Sequence, residues 1–335
     1  MMHIDSATLE LIKESCSGKE HIKLTIGMLV DGEKSIQVFD QTGQIEDESH
    51  IYEIGSITKT FTSSLLAKYI HEQKMSLSDS IQKYIEGLDS KKYYPTLKRL
   101  ATHTAGYPSH LPLEEEYYMK LVKGLTIDET KEGTFPFKMD FNKMVRLLCE
   151  NSLQDKDYPW QYSNFGIALV GYAIGAVSGL GYWETMNNFL SDELNLMHSY
   201  TGTCPNKNLH GFNRQNEDIG NWEWDKDFVA PAGDISSTAE DLLDYARINM
   251  FEEKPYLALC HQKHVDSNDI DMGLGWGLQK NKNQVLLHNG GTSAFRSYLW
   301  IDKQKKCASV VLSNYIIDAD KIGQSILCNV KEYMA

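Results

Sequence analysis

Cysteine, proline and basic residues are all scarce in this chain, and each shortage excludes a class of protein. The 335 residues include 6 cysteines and 8 prolines. Cys16, Cys149, Cys204, Cys260, Cys307 and Cys328 are scattered and form no C-x-x-C pair. They fit neither a disulfide framework nor a zinc ribbon, and are expected to be reduced thiols of a cytoplasmic protein. The first residues, Met1-Met2-His3-Ile4-Asp5-Ser6, hold no basic segment followed by an apolar run, so no signal peptide is read. A run of about eighteen apolar residues, enough to span a bilayer, is also missing. With 33 basic against 46 acidic residues the formal net charge is −13, which argues against nucleic acid or an anionic membrane as partner. There is no G-x-S-x-G elbow and no H-E-x-x-H. His261 and His264 stand three apart with no carboxylate set beside them, so no metal is expected. Gly273-Leu274-Gly275-Trp276-Gly277 runs into strand-like sequence instead of a helix, unlike a dinucleotide loop. No cofactor is expected.

What is present is an ordinary globular composition, 41% hydrophobic, on a chain too long for one small core. Residues 6–16 predict a short helix, with Ser6 as its cap and Leu9, Leu11 and Ile12 turned inward. Ile22 to Val30, a turn at Asp31-Gly32, and Ser35 to Asp40 predict a hairpin. Gln41 to Ser49 reads as loop. After a long helix from Thr58 to about Glu72 the strand signals stop. Helices are expected at Leu97–Gly106, Asn142–Glu150, Asn164–Val177 and Tyr182–Leu194. Residues 112–138, acidic and tyrosine-rich, read as a surface excursion or a lid. Trp222, Trp224 and Phe228 suggest a substrate pocket or a packed junction. A further helix is capped at Ser236–Glu240 and runs to Met250. Strand language then returns at Gly275–Lys280, Gln284–His288, Phe295–Ile301 and Ala308–Ser313, before a last helix from Ala319 to Tyr333. The economical architecture is α+β. An antiparallel sheet is built from both ends of the chain (1–75 and 225–335) and flanked by the terminal helices. A mostly helical domain (76–224) is inserted between them.

Three stretches carry chemistry. In Gly55-Ser56-Ile57-Thr58-Lys59-Thr60, Ser56 lies at a helix N-terminus and Lys59 follows at i+3 on the same face. A serine hydroxyl needs a base to become a nucleophile, and a lysine with a lowered pKa can be that base. Helix-terminal N–H groups can hold an oxyanion. The plainer alternative is an N-cap serine with a solvated lysine. Tyr162-Ser163-Asn164 offers a hydroxyl for proton transfer and an amide for a substrate carbonyl or the lysine; a buried tyrosine beside a capping asparagine is the plainer use. His288-Asn289-Gly290-Gly291 ends a strand, where two glycines let backbone approach a ligand and one N–H could complete an oxyanion hole; a hairpin turn is the plainer use.

Taken in order, S-x-x-K at Ser56–Lys59, Y-x-N at Tyr162–Asn164, and a basic residue followed by x-Gly at His288–Gly290 resemble the motif set of penicillin-recognising serine enzymes. The chain resembles the class C β-lactamase-like family, with its D,D-peptidases, D-aminopeptidases and esterases. Leu77 through Ile85, Leu100 through Gly106, Pro231 through Ser237 with Asp241-Leu242, and Gly273 through Trp276 extend the likeness. The resemblance implies the same fold and a ping-pong acyl transfer. By similarity Ser56 is acylated, and Lys59 and Tyr162 form its base network. Asn164 contacts the substrate amide, and the Gly291 N–H pairs with that of Ser56. His288 stands where β-lactamases usually carry lysine, and a histidine is largely neutral near pH 7. A peptidase acting on D-amino-acid peptides, or an esterase, is therefore expected ahead of a β-lactamase proper or a slowly deacylating penicillin sensor. The expected partner is a small molecule or short peptide. Arg296 reads as a surface strand residue that could alternatively anchor a carboxylate.

Overall fold

The computed structural model describes residues 4–47, 50–109, 111, 139–202, 209–222, 227–267, 270–280 and 284–333. The proposed lid at 112–138 lies outside them, as do Trp224, Cys204 and most of the acidic run. At the centre is an eight-stranded antiparallel sheet assembled from the two ends of the chain. In chain order its strands are β1 (Leu24–Val30), β2 (Glu33–Asp40), β3 (Gly43–Ile45), and then β8 (Asp271–Met272), β9 (Gly277–Leu278), β10 (Val285–Gly291), β11 (Arg296–Asp302) and β12 (Cys307–Ser313). Their spatial order is β3-β2-β1-β12-β11-β10-β9-β8. Leu24 pairs with Ser313 and Val30 with Cys307, so the first long strand lies against the last. Asp31 and Gly32 both adopt positive φ, the two-residue geometry that matches strand twist in a tight hairpin. Gln41 and Thr42 make a second turn, and β3 adds the edge strand that the polar sequence concealed. Two short pairs complete the strands. β4 (Tyr52–Glu53) pairs with β7 (Ser236–Ser237), and β5 (Gly211–Phe212) with β6 (Asp218–Gly220).

One face of the sheet is covered by α1 (Ser6–Cys16) and by the last helix, Ala319–Tyr333. Their apolar residues Ile4, Ile12, Cys16, Ile322 and Ile326 form a cluster with Ile26, Met28 and Val311. The α1 cap is Asp5, whose carboxylate accepts the Thr8 N–H, and not Ser6. Leu9 is consequently exposed, and Thr8, Ile12 and Cys16 face inward. The other face meets the larger core, built around α2 (Thr58–His71). This helix is buried on nearly every side, including Thr58, Lys59, Thr60, Thr62, Ser63 and Ser64. Around it lie α3 (Leu97–Ala101), α4 (Phe141–Glu150), α5 (Asn164–Ser178), α6 (Tyr182–Asn188), α7 (Ala239–Phe251) and α8 (Leu257–His261); the C-terminal helix is α9 (Ala319–Tyr333).

Two of these differ from expectation. α3 stops at Ala101, well before Gly106, because His103 takes a left-handed φ of 59°. The stretch after α6 widens into one π turn at Phe189–Glu193. α5 is apolar on all sides and almost wholly buried, with Leu169, Val170 and Ile174 fully enclosed. Each such side chain contributes about 1.5–3 kcal/mol of transfer free energy. A Cβ at Gly171 would come within 2.2 Å of Pro231, so glycine there is what lets the Pro231 segment seat against α5. Among the described residues no single helix is long and apolar enough to cross a membrane. Four cysteines are described and free, and burial pushes the thiols of Cys16, Cys260 and Cys307 well up.

Candidate active site

Ser56 sits in a single 3-10 turn, Gly55–Ile57, between β4 and α2. The turn is held on both sides. The Ile54 N–H donates to Ile235 O at 3.0 Å, and Ser297 Oγ donates to Ile54 O at 2.7 Å. Gly55 has φ 50°, and a Cβ there would lie 2.6 Å from Gly291 N. A Cβ at Gly290 would lie 2.0 Å from Ile54 O. The glycines of both segments therefore let β10 pack backbone to backbone on the nucleophile turn. β10 does not end in a Gly-Gly hairpin; it runs straight through Gly291. Because the Thr292 N–H donates across the turn to Phe295 O, strand alternation aims the Gly291 N–H the other way, along the edge where Gly55 lies. β9 pairs with β10 only at Leu286 and Leu287, which leaves the His288–Gly291 edge without a strand neighbour among the described residues.

Lys59 is fully buried on the first turn of α2, with Nζ 2.9 Å from Ser56 Oγ and 2.5 Å from the carbonyl of Ala232 that it donates to. No carboxylate pairs with it among the described residues. Burial without a counter-charge drives its pKa well below that of an ordinary lysine. Tyr162 arrives from the segment before α5, and its hydroxyl donates to Ser56 Oγ at 2.6 Å. Lys59 Nζ lies 4.8 Å from the centre of the Tyr162 ring. One hydroxyl oxygen is thus held between an amine and a phenol. His288 is buried on β10, and its Nδ1–H donates to Asn289 O at 2.6 Å, which leaves Nε2 as an acceptor. Burial, and then the Lys59 charge, push its pKa down to about 4, so the ring is neutral. Asn164 opens α5 and is half-buried, but its amide bonds to no described residue. The polar partner of Lys59 is the Ala232 carbonyl, not Asn164.

Residues 29–317 match the sequence model of the family described as Beta-lactamase. The chain belongs to the beta-lactamase family. Protein flp of Staphylococcus aureus (strain N315) is 23% identical over 332 residues, a match that takes in 93% of this chain and only 60% of that protein's length. Among solved structures, a beta-lactamase/D-alanine carboxypeptidase from Pseudomonas syringae superposes with a TM-score of 0.78 at 18% identity, covering 97% of this chain and 98% of the other. A D-stereospecific amidohydrolase from a Streptomyces species gives 0.75 at 19% identity, with the same two coverages. The mixed α/β fold with one large antiparallel sheet is that of the β-lactamases and transpeptidases. Members of this family are serine hydrolases.

Within this β-lactamase fold the sequence concealed two supports of the site. His103 is buried with its Nδ1 accepting the Ser163 N–H at 3.1 Å and its ring centre 4.8 Å from that of Tyr162. Burial, then Lys59 and His288, push its pKa down to about 3. It holds the loop that delivers Tyr162. The only sequence sign was its place in Leu100–Gly106, which had passed for a helix end. The second support is the Ala232 carbonyl, placed by the Pro231–Gly171 contact. Arg296 is not a surface residue. It is half-buried opposite Gly291, with Nη1 donating to Thr292 O and Phe295 O. No acid pairs with it among the described residues. Burial, then Arg214, lower its pKa to about 10. Of the aromatic trio, Trp222 donates its backbone N–H to Glu53 Oε1. Phe228 packs instead against Phe141 and Tyr172, beside a pocket of about 300 Å³ that Tyr182, Trp183 and Pro231 also line. Among the described residues no group of three or more His, Cys, Asp or Glu converges on a metal position.

Proposed function

We propose that the protein hydrolyses an amide or ester through a covalent acyl-enzyme on Ser56, and that its substrate is a D-amino-acid peptide or a small ester. The observation that carries this reading is the single oxygen, Ser56 Oγ, within hydrogen-bond distance of both a buried lysine and a tyrosine hydroxyl. An unprotonated Lys59 takes the hydroxyl proton on its lone pair as Oγ attacks the carbonyl. Tyr162 passes a proton to the leaving group and, in the second half, helps draw one from water. The N–H groups of Ser56 and Gly291 hold the oxyanion, in a place where donors cost no reorganisation. Asn164, whose amide bonds to no described residue, is available for the substrate carbonyl.

A peptidase or esterase is favoured over a β-lactamase by the state of the third motif. A neutral His288 exerts no pull on a lactam carboxylate, whereas a lysine there is a permanent cation. Arg296, beside Gly291 and paired with no acid among the described residues, favours substrates that carry an anionic group near the scissile bond. The test is intact-protein mass spectrometry after incubation with a fluorescent penicillin, a nitrophenyl ester and a D-alanyl peptide amide, with Ser56→Ala alongside. The expected result is an adduct or product with the wild type and none with Ser56→Ala. The order of rates among the three compounds ranks lactam, ester and peptide. Equal turnover by Ser56→Ala would sink the mechanism.

A further inference from the structure

Tyr162 reaches Ser56 from a stretch with no helix or strand of its own. Residues 151–163 carry no regular structure, and Pro159, Trp160 and Gln161, which lead into Tyr162, are exposed. Packing of that approach therefore does little to fix the phenol. Backbone hydrogen bonds do, and they converge. The Tyr158 N–H donates to Thr104 O at 3.0 Å and the Gln161 N–H to His103 O at 2.9 Å. The Ser163 N–H donates to His103 Nδ1 at 3.1 Å. The N–H groups of the residues just before and just after Tyr162 thus end on one residue. The ring of that residue lies against the phenol, with centroids 4.8 Å apart and planes 33° apart.

His103 accepts two costs to stand there. Its φ of 59° is uncommon for a residue other than glycine. Because α3 ends at Ala101, the His103 carbonyl has no helical partner and is open to Gln161. Accepting at Nδ1 puts the hydrogen of the neutral ring on Nε2, and Nε2 is buried with no partner among the described residues. A left-handed residue and an orphaned buried donor both cost stability, and such costs collect where a site needs one geometry. The ring must be uncharged, since an imidazolium would set N–H against N–H at Ser163. In agreement, burial, and then the Lys59 and His288 charges, favour the neutral form.

We propose that His103 is a positioning residue for Tyr162, bracketing it through the Gln161 and Ser163 N–H groups so that its hydroxyl meets Ser56 Oγ. This rests on the reading of Tyr162 as a proton-transfer group. A misplacement of about 1 Å in such a site costs about 100-fold in rate. The bracket serves the transition state more than substrate binding, so its loss lowers kcat and leaves KM nearly unchanged. Glycine at 103 keeps the φ and the carbonyl but offers no side-chain acceptor. Asparagine tolerates the left-handed region, and its Oδ1 can accept the Ser163 N–H in place of Nδ1.

The experiment measures kcat and KM for nitrophenyl acetate, with Tm alongside, for the wild type, His103→Gly and His103→Asn, each with Tyr162 intact and as Tyr162→Phe. His103→Gly is expected to lose about 10- to 100-fold in kcat at nearly constant KM. His103→Asn is expected to recover kcat to within a few-fold of wild type. Both variants lack the ring and should melt lower, so a recovered kcat without a recovered Tm separates positioning from mere support of the fold. With Tyr162→Phe, His103→Gly should cost little more, because the hydroxyl it places is gone. Should His103→Gly fail to fold, His103→Phe, which keeps a ring but accepts nothing, takes its place with the same expected loss. An undiminished kcat in His103→Gly overturns the proposal. So does an asparagine variant no better than the glycine one, or an equal loss with and without the Tyr162 hydroxyl. Tyr162→Phe alone separates the cases. If it is severely impaired, such results end only the positioning role; if it turns over like the wild type, the proton-transfer reading of Tyr162 falls with it.

Discussion

Two buried groups of basic side chains in this protein show what an acid neighbour changes. In one, Lys59, His103 and His288 lie near one another with no carboxylate paired to any of them among the described residues, and burial drives all three toward the neutral form. In the other, at the C-terminal end of α7, His261 Nδ1 lies 2.9 Å from Glu252 Oε1 and Lys303 bonds the same carboxylate. There the pairing with His261, and then with Lys303, holds Glu252 down to about 2; burial still lowers the His261 pKa, and Glu252 only offsets part of that, so the charge kept in place is that of the Glu252–Lys303 pair. The same residue types thus serve opposite ends. An ion pair keeps charge in place and contributes to the fold, while a desolvated base with no partner keeps a lone pair ready for a proton.

The contrast can be broken at several points. The largest effect is expected from the unpaired group itself. Lys59→Ala and Tyr162→Phe should each cost about 10²–10⁴ in kcat. The double variant should cost far less than the product, since the two act on one oxygen. Steady-state rates on the three compounds named above measure this, and full additivity would show that the two groups act in separate steps. Next in size is giving the active site the acid it lacks. His288→Asp places a carboxylate beside Lys59 and should restore its proton. The rising limb of kcat/KM with pH should then move to higher pH, with about a 10- to 100-fold loss at neutrality. An unmoved limb would mean that Lys59 is not the titrating base. The smallest effect is expected where the acid is removed from the paired group. The Glu252 side chain is 31% exposed, so screening discounts its pKa shift, and Glu252→Gln should cost about 1 kcal/mol of stability with kcat unchanged. The folded pKa lies below the unfolded one. This contribution is therefore present above about pH 4.5 and is lost as pH falls toward 2. Denaturant unfolding of the pair at neutral and acid pH measures it; the difference should vanish in acid.

What the sequence made legible was mostly local. α9 runs from Ala319 to Tyr333, as its periodicity predicts, and the β10–β12 strands follow their apolar runs. Ser56 and Lys59 share a helix face because i, i+3 spacing fixes it. Tyr162 is different, since nothing local brings it to Ser56, and only the order of motifs pointed there. The misreadings have one kind of cause, a tertiary partner that local pattern does not contain. His103 leaves the helical region because its ring is wanted behind Tyr162. Arg296 is drawn down by the carbonyls of Thr292 and Phe295, although its strand position looked exposed. Glu53 carries no signal in the sequence, and its burial against the Trp222 backbone N–H has no signature in spacing.

The pairing of β1 with β12 also sets the order in which the molecule can form. The strand that begins the sheet waits for nearly the entire chain before its partner exists, and contacts of such long range are slow to close. Until then the β1–β2 hairpin lacks its β12 neighbour, a condition that favours aggregation and chaperone capture. The Ser56 turn shares this timing. Its conformation leans on Gly290, Gly291 and Ser297, so a nascent chain carries Ser56 and Lys59 long before it carries the residues that fix the turn.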